Sequence, residues 1–472
     1  MFRKNLLLRS RQSILSIGFL FTVFMAFVYS TTVYAQDKNY FVKSKGYGTA
    51  HFPDPPPYVR TLSDTNIDAF KNLYWIETGI DYRTRFEMRD SDLRRSENTV
   101  DYPILSRTRV YFGVKEIADP FRFTVEFEDA RLSNSKFNAT NREVNENEFI
   151  QAYGELFFEN VLGENAPIRL RAGRMAFEEL DRKMFARNPW RNTTNTFQGF
   201  RASFGQQSNS WEVDTFALQP LVRKLEKTDH RRKDQWFYGV VGSWRKWSDI
   251  ITIQPYYFHL AQDTSDGLIE RDIYAPGLRM YGIIHDSNWD YDTNVTYQFG
   301  ESGNGDHRAL GLITEIGYSF DHSWKPRLSV FYGYGSGDKD PNDLDNERLE
   351  RFFGAGRPWS NDNYFVWENL HAVRPRLEFS PCKSMQIDIG YSWYWLASDT
   401  DRWSSTDLRD TSGNSGSFLG QQFDIRARNI LTNRINSNIG FTHFIPGKFT
   451  EATRRDEASD FFYVELSFCL FE

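Results

Sequence analysis

The sequence predicts an all-β fold, a transmembrane antiparallel β-barrel of about eighteen strands with long extracellular loops and short periplasmic turns. Three observations predict it. A period-two rhythm recurs from Trp75 to the C-terminus. The connections alternate between long and short. The chain ends on an apolar strand.

The rhythm is clear from Glu77 to Arg89. Glu77, Gly79, Asp81, Arg83, Arg85, Glu87 and Arg89 alternate with Thr78, Ile80, Tyr82, Thr84, Phe86 and Met88. Strand side chains alternate between two faces, so one face is oily and the other charged. The same holds where Trp289, Tyr291, Val295, Tyr297 and Phe299 alternate with Asp290, Asp292, Asn294 and Gln298. It recurs where Met385, Ile387, Ile389, Tyr391 and Trp393 alternate with Gln386, Asp388, Gly390 and Ser392. A soluble sandwich or propeller could show such alternation, but it has no reason to sort its loops by length.

In chain order, residues 1–35 read as a secretory signal peptide. Arg3, Lys4, Arg9 and Arg11 precede an apolar stretch from Ile14 to Tyr29, and Val33-Tyr34-Ala35 offers small residues at a cleavage point. The apolar stretch is short for a full span. Residues 36–74, with Pro53, Pro55, Pro56 and Pro57, form an irregular N-terminal segment that lies in the periplasm or tucks into the lower mouth. The barrel occupies 75–472.

Strands are expected near 75–90, 104–117, 120–131, 147–160, 166–175, 196–205, 210–220, 235–247, 250–260, 277–287, 289–299, 308–321, 326–335, 371–380, 384–396, 421–431, 435–445 and 460–471. The odd-numbered connections are the long ones: 91–103, 132–146, 176–195, 221–234, 261–276, 300–307, 336–370, 397–420 and 446–459. The even ones, such as Ala118-Asp119 and 432–434, are short. Up-and-down strands in an outer membrane sort their loops this way. The final strand, from Phe461, must close against the first to leave no edge in lipid.

Composition agrees. Aromatic residues make up 17% of the 472 residues, which suits interface girdles. Mean hydropathy is −0.59, because lumen and loops dilute the apolar face. The net charge of −6 gives no nucleic-acid footprint. Cys382 and Cys469 fall on non-adjacent strands, so no disulfide is expected. Expected surroundings are outer-membrane lipids and the barrel-assembly machinery of a Gram-negative-type bacterium.

Catalytic and metal motifs are weak. Gly333, Gly335 and Gly337 are not followed by a helix or by a GKS or GKT signature. The acidic run from Asp338 has Asp343 and Leu349 where a calcium loop needs Gly and Glu. The sequence has no HExxH and no GxSxG, and no cofactor is expected. Function is therefore sought in the lumen. Alternation points Arg83, Arg85, Arg107, Arg109, Arg169, Arg171, Arg201, Arg376, Arg426 and Arg428 inward, with acids such as Asp81, Glu126, Glu128, Glu155, Asp214, Glu315, Glu378 and Asp388. Rings of arginine select anions, while pairing with the acids would make the same charges structural.

The central region resembles the alginate export family of outer-membrane barrels. The resemblance rests on Ile168-Arg-Leu-Arg-Ala-Gly-Arg174, on Arg187, Trp190 and Asn192, and on Phe197-Gln-Gly-Phe-Arg201. It also rests on Gly335-Ser-Gly-Asp338 with its acidic loop, Phe352-Phe353, Trp367-Glu-Asn-Leu370 and the opening Gly79 to Glu87. It implies a monomeric barrel with an electropositive lumen that passes an anionic polysaccharide, with Arg83, Arg85, Arg109, Arg171, Arg174 and Arg201 on the path. Strict alternation from Arg171 points Arg174 outward unless the strand ends or bulges there. The short turn at 432–434 departs from the long late periplasmic loop the resemblance would supply.

The sequence is expected to encode a passive channel for an anionic polysaccharide or small anions. The alternative is a receptor or adhesion barrel working through its extracellular loops. A barrel hydrolase is a third and weaker reading.

Overall fold

The computed structural model describes residues 53–471 apart from 66, 266, 285 and 286. The expected signal peptide and the start of the N-terminal segment lie outside the described residues. Eighteen strands form the wall of a closed antiparallel barrel. They are β1 (Ile76–Asp90), β2 (Ile104–Val114), β3 (Phe121–Ser133), β4 (Asn145–Phe158), β5 (Ile168–Met175), β6 (Phe197–Gly205), β7 (Trp211–Val222), β8 (Gln235–Trp244), β9 (Thr252–Gln262), β10 (Arg271–Ile283), β11 (Trp289–Ser302), β12 (Gly305–Ser319), β13 (Arg327–Gly335), β14 (Leu370–Cys382), β15 (Met385–Trp395), β16 (Phe418–Ile430), β17 (Ile435–Pro446) and β18 (Ser459–Cys469).

Each strand pairs with its sequence neighbours. Strand β18 closes on β1, with Asp81 opposite Cys469 and Asp90 opposite Asp460. Closure leaves no backbone edge facing lipid. The apolar set of each strand faces outward: Tyr82, Phe86, Val110, Phe112, Leu170, Phe200, Tyr297 and Phe299 are all exposed. Their alternates, including Asp81, Arg83, Arg85, Arg107, Arg109, Glu126 and Glu128, are buried. Strand number, up-and-down order and face assignment follow the sequence reading.

Two connections are shorter than expected by the widest margin. Strand β10 begins at Arg271, not near 277, and Arg271 pairs with Gln262. Pro276 sits inside that strand opposite Tyr257. The connection expected at 300–307 is a tight hairpin, since Ser302 pairs with Gly305. Gly303 there has φ +65°, a conformation glycine adopts without cost.

The larger difference lies in the long loops. Two of them fold into the barrel. The first infold, 176–196, buries Phe177, Leu180, Met184 and Phe185. The Phe185 ring lies 4.6 Å from Phe197, 5.2 Å from Phe216 and 5.8 Å from Phe237. The second, 336–369, buries Trp359, Phe365 and Trp367, and Phe365 stacks on Tyr394 at 3.5 Å. The two are joined by backbone bonds from Phe353 N–H to Met184 O at 3.0 Å and from Ala355 N–H to Arg182 O at 2.9 Å.

The physical reason is on the wall. Inward positions on β7 to β9 include Phe216, Leu218, Phe237, Phe258 and Leu260, all buried. An apolar inner wall beside an apolar outer one needs cover from water, and each buried Phe contributes roughly 1.5–3 kcal/mol. The infolds supply that cover. Below them, residues 53–61 run inside the periplasmic end of the barrel, and Arg60 and Thr61 pair with Thr78 and Glu77 of β1.

Candidate functional site

Four sequence-selected arginines on β1 and β2 converge on the first infold. Arg83 donates to Pro189 O at 2.8 Å, Arg191 O at 3.0 Å and Asn192 Oδ1 at 3.1 Å. Arg107 donates to Pro189 O and Arg191 O, both at 3.2 Å, and meets Asp81 at 3.4 Å. Arg85 donates to Trp190 O at 2.8 Å, pairs with Glu87 at 2.7 Å and with Glu465 at 3.0 Å, and lies 3.9 Å over the Trp190 ring. Arg109 pairs with Glu128 at 2.9 Å and donates to Thr194 Oγ1 at 2.5 Å. All four are buried. The infold is irregular backbone at membrane depth, so its carbonyls must find donors inside the protein. Arg83, Arg85 and Arg107 are those donors.

The remaining candidates are placed as follows. Arg171 pairs with Glu155 and Asp54, each at 2.5 Å. Arg201 pairs with Asp214 at 2.9 Å and Glu179 at 3.2 Å. Arg376 pairs with Glu315 at 3.2 Å and Glu378 at 3.6 Å. Arg426 meets Asp388 at 2.9 Å, and Arg428 meets the same carboxylate at 3.5 Å. Arg169 has no carboxylate partner among the described residues; its guanidinium lies 5.7 Å from the Phe157 ring centre. Met175 turns into the core, so alternation takes Arg174 off the inward face, and it binds Glu148 and the Phe149 carbonyl.

Sequence reasoning missed most of a second set of arginines, because all of them but Arg85 and Arg89 of β1 sit on loops, which carry no period. A cavity of about 530 Å³ opens among the loops at the extracellular end. Eight arginines line it against four carboxyls: Arg85, Arg89, Arg94, Arg95, Arg142, Arg191, Arg223 and Arg351 with Glu87, Asp92, Glu143 and Asp362. Arg89 pairs with Glu87 at 2.6 Å and Glu143 at 2.8 Å, and Arg94 pairs with Asp92 at 2.7 Å.

Arg142, Arg191 and Arg223 have no carboxylate partner among the described residues. Arg191 donates to Thr193 O at 3.1 Å and to Asn195 Oδ1. Arg223 donates to Asn141 O at 3.0 Å and to Asn195 Oδ1 at 2.9 Å. Burial, followed by the charges of Arg351, Arg94 and Arg223, pushes Arg142 down to about 10. Burial, Arg223 and Arg142 likewise hold Arg191 well below its ordinary value. Like charges crowded together with fewer acids than arginines around them make a site that gains from an incoming anion.

The same cavity presents Asn141, Asn188, Asn195 and Asn363 beside Trp190, Phe352 and Phe353. Trp190 carries the Arg85 and Arg357 guanidiniums at 3.9 and 3.4 Å from its ring centre. Among the described residues no group of His, Cys, Asp and Glu is arranged to hold a metal ion.

A sequence profile described as alginate export matches residues 74–464. The chain belongs to the alginate export family. Among curated proteins no relative matches it by sequence. Solved outer-membrane proteins of Pseudomonas aeruginosa share the barrel of this alginate export family member. OpdK with vanillate has a TM-score of 0.57 at 10% identity, over 84% of this chain and 98% of that one. OpdF in complex with glucuronate has 0.56 at 12%, over 84% and 96%. OprD has 0.54 at 10%, over 83% and 94%. At such identity the likeness carries the fold. Family and fold together indicate a passive channel in the outer membrane of a Gram-negative bacterium.

Proposed function

We propose that this channel selects anions, and that carboxylate-bearing sugar chains are the solutes its mouth suits best. One observation carries the reading: Arg142, Arg191 and Arg223 face a shared cavity without carboxylate partners. Arginine's planar fork grips carboxylates. Asparagine amides suit sugar hydroxyls, and Trp190, Phe352 and Phe353 offer flat apolar faces. The bound vanillate and glucuronate of OpdK and OpdF, both carboxylates, lend support from barrels of the same fold.

On this reading Arg83, Arg85, Arg107 and Arg109 serve the path indirectly by seating the infold that carries Arg191. Arg171, Arg201, Arg376 and Arg426 balance the acids of the wall. Arg169 and Arg428 add positive field lower down, and Arg174 ties the rim. The reversal potential of single channels in a KCl gradient tests the proposal. Anion preference is expected; cation preference refutes it, and a barrel that never conducts favours the receptor reading.

A further inference from the structure

Residues 53–61 form a strap across the lower lumen, held at three places. At β1, Arg60 and Thr61 pair with the wall, and Lys115 Nζ donates to Thr61 Oγ1 at 3.0 Å. In the middle, Tyr58 and Val59 are each 6% exposed and cover Tyr111. Gly79 lies under them, where a Cβ would sit 2.5 Å from the Tyr58 carbonyl oxygen. At the far end Asp54 meets Arg171 at 2.5 Å on β5 and lies 4.0 Å from Arg201 on β6.

The strap also touches the infold that descends from the opposite mouth. Glu126, fully buried on β3, accepts hydrogen bonds from Tyr58 Oη and from Arg187 of the infold. Periplasmic and extracellular segments thus meet on one carboxylate in mid-lumen. A segment crossing from β1 to β6 and joined to an infold obstructs that side of the pore.

We propose that the strap is a displaceable plug, and that Asp54 fills an arginine site, formed by Arg169, Arg171 and Arg201, that takes the carboxylate of a passing solute. The second half rests on the anion-selective reading; the first does not. Glu155, Asp214 and Glu179 also face this site, through Arg171 and Arg201. Arg169 has no ion-pair partner among the described residues, and its guanidinium lies 5.7 Å from the Phe157 ring centre. Partial desolvation opposes a charged Asp54, whose side chain is still 31% exposed, yet Arg171, Arg201 and Arg169 hold its carboxyl well below the usual range. Burial and then the charge of Asp214 push Glu179 the other way, well above it.

The test uses the full-length protein in planar bilayers, with heat-modifiable migration reporting the folded barrel. Asp54→Asn removes the charged anchor, and Gly79→Ala removes the seat without altering charge. Both should raise conductance severalfold over wild type, while Asp64→Asn, on the exposed part of the N-terminal segment, should not. Glucuronate on the periplasmic side should raise wild-type conductance and leave Asp54→Asn unchanged, and glucose should do neither. Folded Asp54→Asn and Gly79→Ala barrels that conduct as wild type does would overturn the plug. An Asp54→Asn channel that still opens further with glucuronate would overturn the arginine site. Larger currents from Asp54→Asn and Gly79→Ala beside a cation-selective wild type would keep the plug and remove the anion reading.

Discussion

Replacing Arg142, Arg191 and Arg223 together by Gln should weaken anion selectivity by an amount that the cavity's size sets. The lining carries eight arginines against four carboxyls, and the triple variant removes three of those positive charges. A cavity of about 530 Å³ puts a wall charge about 6 Å from a solute at its centre, where unit charges in water interact by about 0.7 kcal/mol. Screening at 0.1 M salt reduces that to about 0.4 kcal/mol each. Three charges then contribute about 1.1 kcal/mol, or about a sixfold change in local anion population. Low-dielectric walls focus the field, so this is a lower bound. Reversal potentials at low salt should move toward cations, and the shift should fade at 1 M, where the screening length is about 3 Å. Arg131, half-exposed and paired with Asp129 at 2.8 Å, is the control, and Arg131→Gln should change nothing. An unchanged reversal potential in a folded triple variant at low salt would refute the reasoning.

Other outcomes follow from the same geometry. Arg at Ile389, which pairs with Leu377 and Ile425 on the lipid face, should cost roughly 2–4 kcal/mol near the midplane, read as lost heat-modifiable barrel in a urea series. Burial pushes Glu178 up to about 7 and Asp181 up to about 6 on the first infold. Raised values mean the docked infold favours the protonated acids, so its stability is present at low pH and lost as pH rises through 6 to 7. Conductance should accordingly be higher at pH 8 than at pH 5.5, and Glu178→Gln should flatten the curve; equal curves for both proteins would count against burial as the cause. An epitope inserted between Asn342 and Asp343, both exposed, should bind antibody on intact cells, and binding only after the membrane is opened would reverse the topology.

The wall was legible because a strand's two faces leave a period in the sequence. Tyr82 against Arg83, and Ile389 against Asp388, could be assigned by counting, and closure of β18 on β1 followed from the apolar C-terminal segment. The infolds were not legible in that way. Phe177, Phe185, Trp359 and Trp367 sit in irregular segments where spacing says nothing about direction. One signal did exist. On β7 to β9 both faces are apolar, with Phe216, Leu218, Phe237 and Phe258 on the inner side. A wet lumen does not account for an oily inner wall, so some part of the chain had to cover it, and the long loops were the available candidates. The loop arginines of the mouth, Arg142, Arg191 and Arg223 among them, were hidden for the same reason as the infolds.

The charges of the wall and those of the loops do different work. A buried guanidinium needs acceptors for its five donors, and a buried carboxylate needs donors. Along the wall the two satisfy one another: Arg327 holds Asp290 at 2.6 Å, Glu315 at 2.8 Å and Glu378 at 3.1 Å. Where the wall meets the infold, Arg83, Arg85 and Arg107 bind backbone carbonyls instead. Charges held in this way are fixed by the fold, and removing one strands a partner. Arg142, Arg191 and Arg223 are bonded only to neutral loop groups or to none, so their removal strands no carboxylate. Loops tolerate change that a closed sheet does not. Exchanging loop arginines should therefore alter which solutes this barrel admits while its strands, register and infolds stay as they are.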